Sequence, residues 1–392
     1  MSKIKLTTIT PIHIGSGVLY QNDRDFVTFK DEYGPGIAIV DLRKMGDLLQ
    51  KHGGTNLINK WVAAIERRDS VKDFIKRFAP DAALEDYALR LLTLPYNINF
   101  STDTTLKEYI HDGMGHAYVP GSSIKGAIRT AIFAQLKAED HHVNVRKCKE
   151  LEGRFFGEIP NEDFMRFLRV GDAFFEDGCK KYIEDCINMV HLNIREKCGL
   201  LDRSKQQAIE VVTEKESAFF RLHLIQENGL RDMIMRYNNV AEKNGKATIH
   251  LFPDAVHDLQ SLFSIINEHT KKLMRSELEI WEDEEVERFF KDDDQDVADA
   301  YKKAIRSILR KAEKCREKEC VLRVGHASGW RFMTGAWAEN QFDDATWRQL
   351  QDASRPHNRN YEQYRFPKTR RVFLKGDDGI GVLGFVKLKI VE

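Results

Sequence analysis

One thirteen-residue block, Val119 to Ala131, constrains this chain more than any other stretch. Pro120-Gly121 marks a turn, and Ser122 or Ser123 is a favourable helix N-cap. Ile124, Ile128, Ile132 and Leu136 then recur every fourth residue, with Ala127 and Ala131 beside them. That spacing describes one buried helical face, so the fold must lay this helix on a core. Lys125 and Arg129 lie four apart and share a second face in the first turns. A helix start already presents free N–H groups and a partial positive charge. Two cations added there make a phosphate-binding end. The competing reading is a well-capped amphipathic helix with two solvated cations.

Strand signals surround this block. Met1 to Leu6 alternates polar and apolar residues, as a strand does and a signal peptide does not. Phe26-Val27-Thr28-Phe29 and Gly36 to Val40 flank the turn Asp31 to Pro35, which predicts a hairpin. Val386, Leu388 and Ile390 alternate with Lys387 and Lys389 in a final strand. Further strand signals fall near 96–100, 166–176 and 217–224. Leu42 to Leu94 has helical spacing, with Leu48, Leu49, Leu57, Trp61, Ile65, Phe74, Phe78, Leu84, Leu91 and Leu92 as core candidates. A second helical block runs from about Pro253 to Glu319. Strands interrupted by helical blocks predict an α+β fold.

The chain of 392 residues has room for two domains. Its apolar fraction suits a globular protein. There is no apolar run of membrane-spanning length. Six cysteines show no zinc-ligand spacing, and a reduced cytoplasm is the expected setting. The net charge is zero, which argues against a free-standing nucleic-acid binder. That zero is a cancellation between segments. Glu277 to Asp299 holds twelve acidic residues against two basic, whereas Tyr301 to Lys318 holds eight basic against two acidic. Either the acidic segment shields one face while cations meet phosphates, or the two helices partner each other. Arg355 to Lys375 holds seven basic residues against one acidic. Tyr361, Tyr364 and Phe366 are interleaved with its cations, the composition of an RNA-contacting loop.

Several other strings weaken on inspection. Gly379, Gly381 and Gly384 match a dinucleotide fingerprint, but they open a strand where that fingerprint must open a helix. Such a loop can still lay backbone N–H groups on phosphate oxygens. His111-Asp112 and Asp140-His141-His142 are short pairs of the kind that recur by chance, and no metal site or cofactor is expected from them.

Three separated blocks resemble one family. Thr10-Pro11-Ile12-His13-Ile14-Gly15-Ser16-Gly17, the central Val119 to Ala131 and the closing Gly376 to Leu388 are similar to the RAMP superfamily of CRISPR proteins. Arg323 to Trp330, Thr334-Gly335 and Phe366 to Arg371 narrow the resemblance to the fifth-named subunit of the type III-A Csm complex. The resemblance implies two ferredoxin-like, RRM-type lobes with helical insertions. They are expected at 1–160 with an insertion near 42–94, and at 161–392 with an insertion near 253–319. It implies a non-catalytic subunit that caps the backbone filament at the 3′ side of the crRNA. Its implied partners are crRNA, the adjacent Csm backbone subunit, the small helical Csm subunit and host trimming nucleases, with no membrane. RNA contact is expected at His13, Gly121, Ser122, Ser123, Lys125, Arg129, Lys368, Arg370, Arg371, Gly379, Gly381 and Gly384. The rival reading is a RAMP endoribonuclease acting on crRNA precursor or target RNA. It would use His13 as general acid or base, or Asp23 or Asp25 on a metal.

Overall fold

A computed structural model describes residues 1–94, 104–136, 148–176, 178–190, 200–225, 228–287, 292–333, 369–375 and 379–391, with 98, 100, 101, 290 and 345 between them. The strands in chain order are β1 (Ser2–Thr8), β2 (Gly15–Gln21), β3 (Phe26–Asp31), β4 (Gly34–Val40), β5 (Ala88–Thr93), β6 (Thr105–Tyr109), β7 (Tyr118–Val119), β8 (Leu168–Val170), β9 (Ala173–Phe175), β10 (Lys181–Val190), β11 (Leu201–Val212), β12 (Ser217–Leu224), β13 (Glu319–Arg323), β14 (Thr369–Lys375), β15 (Gly379–Gly381) and β16 (Phe385–Ile390). The helices are α1 (Leu42–Arg67), α2 (Val71–Phe78), α3 (Gly121–Leu136), α4 (Cys148–Phe156), α5 (Asn228–Lys243), α6 (Leu259–Trp281), α7 (Glu284–Glu287), α8 (Asp292–Glu313) and α9 (Gly329–Phe332). The α+β class is as expected. Among the described residues, no helix is long and apolar enough to cross a membrane.

The first sheet has the order β13-β16-β1-β12-β9-β7, with β8 also paired to β12, and every pairing is antiparallel. Chain order through β1, α3, β8 and β9, β12, α6 and β16 is β-α-β-β-α-β. Alternation decides which face is covered. Ile4 and Leu6 of β1, Phe220 and Leu222 of β12, and Val386 and Leu388 of β16 all point into one core. Ile124, Ile128 and Ile132 of α3 and Phe263 and Ile266 of α6 close over them.

The second sheet runs β2-β6-β11-β10-β5-β4-β3, with β14 added on β10 and β15 on β14. Its β5–β10 and β6–β11 contacts are parallel and the rest antiparallel. The expected hairpin is present, with Asp31 opposite Gly34. Both sheets take strands from both sides of residue 160, so each needs most of the chain before it can close.

The helical block at 42–94 ends early. The segment 88–93 is strand β5, paired with β4, and Leu91 lies exposed while Leu92 is buried. Ile65 is also exposed. A short apolar run fits either period, and the neighbouring strand decided it. Gly54 kinks α1 at φ +62°, where a residue with a Cβ would be strained. Met45, Leu48, Leu49, Trp61 and Phe74 then pack on Val27 and Ala38 of the hairpin. The oppositely charged blocks partner each other: Arg306 pairs with Glu282, and Lys302 lies 3.0 Å from Glu287 and 2.9 Å from Asp299. Part of their charge is thus spent within the helical layer.

Candidate nucleic-acid interface

Three of the separated blocks meet in space. The Gly384 N–H donates to the Pro11 carbonyl at 2.9 Å, and the Val324 N–H donates to Gly384 at 2.7 Å. The His326 N–H donates to the His13 carbonyl at 2.8 Å. Such close backbone approach requires glycine. At Gly384 (φ +93°) an added Cβ would lie 2.6 Å from the Val324 oxygen. At Gly325 (φ +74°) it would run into the His13 carbonyl oxygen. Gly325→Ala is therefore expected to cost about 2 kcal/mol or more in thermal denaturation. Gly245→Ala is a control of similar φ (+60°) in open space, and it should cost about half that. Equal losses would show that φ alone, not the junction, makes Gly325 necessary.

His13 sits at the centre of this junction and is 1% exposed. Its Nδ1 lies 2.6 Å from the Glu210 carbonyl oxygen, which can only accept, so Nδ1 carries the proton. Its ring meets those of Tyr109 and His326 edge-on, at centroid distances of 6.1 and 5.4 Å. Burial holds its pKa below the usual value, which favours a neutral ring. Neither a proton-transfer role nor a phosphate contact has open access to it in this chain. Asp23 and Asp25 hold the turn after β2. The Asp23 carboxylate accepts from the Lys72 N–H at 3.0 Å, and that of Asp25 from the Gln21 N–H at 2.8 Å. Among the described residues, no group of three His, Cys, Asp or Glu is placed to hold a metal. Asp140-His141-His142 lies outside the described residues.

Glu210 organises the neighbouring polar cluster. It is fully buried and receives Arg90 through Nε at 3.2 Å and Nη2 at 2.9 Å. His111 lies 3.4 Å away. Burial alone would raise the Glu210 pKa, but His111 and Arg90 hold it down to about 2. Sequence reasoning missed this residue, because its partners stand about a hundred positions away.

The start of α3 differs from the expected serine cap. The helix begins at Gly121, whose N–H donates to the Asp172 carboxylate at 2.7 Å. The N–H groups of Ser123 and Ile124 donate to the Pro120 carbonyl. Gly121 must be glycine here, since a Cβ would strike the Val170 oxygen. Asp172 thus already occupies part of the helix end that phosphate was expected to take. Ser122 is exposed, and Ser123 is partly so.

Lys125 and Arg129 do share a face. They line an open cleft of about 460 Å³ with Arg166, Asp163 and the turn Gly157 to Pro160. The Arg129 guanidinium lies 3.5 Å over the Phe156 ring, and its Nη1 is 2.6 Å from Asp163. That pairing pre-orients a planar, bidentate donor at the cleft wall. Lys125 is half-buried. Burial lowers its pKa, and Asp163 opposes that shift.

At the C-terminal end, Lys368 lies outside the described residues, as does the stretch from Arg355 to Pro367. Arg370 is 8% exposed, and its guanidinium grips Glu277, with Nη2 3.0 Å from Oε2. It faces the core and is unavailable to an outside phosphate in this chain. Arg371 is partly exposed and lines a small cavity with Arg323 and Trp330. Gly379 and Gly381 belong to β15, paired with β14, and Gly381 and Gly384 are buried. The expected RNA contacts therefore divide in two. His13 and Gly384 belong to the interior junction, whereas Lys125 and Arg129 open onto a cleft.

A sequence profile of the RAMP superfamily matches residues 5–332. A Methanocaldococcus jannaschii protein called CRISPR system Cms protein Csm5 is 28% identical over 193 residues, covering 46% of this chain and 44% of that protein. A Streptococcus thermophilus protein of the same name is 29% identical over 141 residues, covering 33% of this chain and 37% of that protein. The matched region thus spans less than half the length of either relative. The crystal structure of T. onnurineus Csm5 superposes with TM-score 0.61 at 19% identity, over 97% of this chain and 99% of that one. A chain of a cryo-EM structure titled Csm-crRNA-target RNA ternary complex in type III-A CRISPR-Cas system superposes with TM-score 0.66 at 18% identity, over 99% of this chain and 100% of that one. At such identities the likeness to these structures is one of fold.

Proposed function

Because this chain belongs to the RAMP superfamily, we propose that it is a structural, RNA-contacting subunit of a type III-A CRISPR ribonucleoprotein. It caps the backbone filament at the 3′ side of the crRNA and supports crRNA maturation without cutting RNA itself. Its neighbours are the adjacent Csm backbone subunit and the small helical subunit, and host nucleases trim the guide beside it. The observation that carries this reading is the open cleft where Lys125, Arg129 and Arg166 converge. Cations and a helix flank hold phosphates without reading bases, which suits a subunit that must accept any guide sequence. The enclosure of His13 and the structural duties of Asp23 and Asp25 speak against the nuclease reading.

The test is gel retardation of labelled single-stranded RNA by the purified chain, with magnesium and with chelator, across a salt series. Lys125→Ala/Arg129→Ala is expected to weaken binding about tenfold. Each lost phosphate contact should also flatten the slope of log affinity against log salt by about 0.7. Shortened RNA products that vanish with chelator, or in His13→Ala, would make the chain a nuclease. RNA that stays unretarded at every salt concentration would remove the RNA-contact reading.

A further inference from the structure

The face of the first sheet turned away from α3 and α6 is not an ordinary polar surface. Register places one residue from each of six strands in a single row across it. Glu319 pairs with Lys389, Lys389 with Lys5, Lys5 with Phe219, Phe219 with Phe174, and Phe174 with Tyr118. Directly opposed residues on adjacent strands share a face, so the row is continuous. It spans about 24 Å at ordinary strand spacing. One step along the strands, Lys3 stands opposite Arg221 and Lys387 opposite Thr7; further on, Arg169 stands opposite His223.

Val321 and Phe385, further along the same face, are buried in the second core, and we propose that the part of the face left open is a second RNA-binding surface, on which single-stranded bases stack while the flanking cations hold the phosphates. The aromatic side chains are the first argument. Phe174 is 49% exposed, although a phenylalanine on an open strand gains little by facing water. Its ring is stacked with Tyr118 at 5.7 Å and an interplanar angle of 20°, which makes a flat ledge at the sheet edge. Phe219 stands next in the row. The Lys3 ammonium lies 4.9 Å from its ring centroid and that of Lys5 6.0 Å. An exposed cation–π contact is weaker than base–aromatic stacking, so a base can displace these ammoniums toward its own phosphates.

Charge is the second argument. The face carries Lys3, Lys5, Arg169, Arg221, Lys387 and Lys389. The carboxylate within the row, Glu319, lies at the β13 end and is held by Lys387 at 2.8 Å and Lys389 at 3.6 Å. Glu176 follows just past the end of β9. An acidic protein segment would answer the cations but leave the aromatic ledge without use. An unstacked strand of RNA answers both, and stacking tolerates any base.

This surface rests on the reading that the chain meets RNA, and the test separates the two. The full chain is titrated with a labelled uridine oligonucleotide over a salt series, then cross-linked to the same oligonucleotide carrying 4-thiouridine. Phe174→Ala/Phe219→Ala is expected to weaken binding about tenfold or more with an unchanged salt slope, because stacking releases no counterions. Phe174→Tyr/Phe219→Tyr should keep wild-type affinity, which excludes misfolding as the cause. Lys5→Ala/Lys389→Ala should weaken binding and flatten the slope by about 1.4. Cross-links should map to peptides containing Phe174 or Phe219. Wild-type affinity in both alanine pairs, with loss only in Lys125→Ala/Arg129→Ala, would overturn the sheet surface and leave the α3 cleft standing. Absence of all RNA binding would overturn both. Displacement of the RNA by polyglutamate, with the aromatic variants unaffected, would assign the face to an acidic protein instead.

Discussion

Glu277→Ala is expected to destabilise the protein by about 3–5 kcal/mol, the usual cost of removing one member of a buried ionic cluster. For a chain of this size that is a fall in melting temperature of about 4–6 °C. Glu277 is fully buried in α6. Its carboxylate accepts from Arg331 Nη1 at 2.7 Å, Tyr301 Oη at 2.7 Å, Trp281 Nε1 at 3.2 Å and Arg370 Nη2 at 3.0 Å. Burial pushes its pKa upward, but Arg370 and Arg331 outweigh that and hold it far below the carboxylate range. The network fastens β14 and α9 to α6. β14 begins where the stretch of cations and aromatics, Arg355 to Lys368, ends. Glu277→Gln keeps much of the hydrogen bonding without the charge and should lose less than Glu277→Ala. A melting temperature within about 1 °C of wild type in Glu277→Ala would mean that the arginines find equal company elsewhere.

Acidification is expected to have an effect of similar size. Burial lowers the His269 pKa to about 4. Burial first, then His13 and Lys107, lowers that of His326 to about 3. The unfolded chain takes up these protons near the ordinary histidine value of 6.5, whereas the folded chain resists until pH 3–4. Between those limits the unfolded state binds more protons, so stability falls as pH falls below 6.5 and is unaffected above it. At pH 5 the loss is up to about 2 kcal/mol for each histidine. Glu210 adds a second decline in the same direction. Its folded pKa of about 2 lies below the 4.5 of the unfolded chain, so its contribution is lost as pH falls through that window. Thermal melts from pH 7.5 to 2.5 should show both stages, and His269→Leu should flatten the first. Melting temperatures that hold constant from pH 7 to 5 would contradict the neutral state of these two histidines in the folded chain.

Much of the fold was legible because it depends on local period. The α3 stripe, the β3–β4 hairpin and the alternation of β16 all appear where the residue pattern placed them. Period also failed where it was ambiguous, as at 88–93, and where it was overlooked, as in the long strands β10 and β11 and in helix α5. In the site, the pairing of Lys125 and Arg129 on one face was readable from their spacing of four. The cap at Gly121 was not, because Asp172 lies 51 residues away and occupies the place assigned to serine.

The sequence by itself determined the α+β class, the exclusion of a dinucleotide site at Gly379 to Gly384, and the cationic face of α3. Each follows from spacing along a few neighbouring residues, which backbone geometry converts directly into a face or a turn. Only the tertiary structure decided which charges remain available. Arg370 meets Glu277 across 93 residues, His13 meets Glu210 across 197, and Lys302 and Arg306 pair with Glu287, Asp299 and Glu282 of the acidic block. The row from Lys389 to Tyr118 draws on five separate strands and exists only once they are in register. Burial and ion pairing depend on which distant segments meet, and residue spacing along the chain carries no direct record of that.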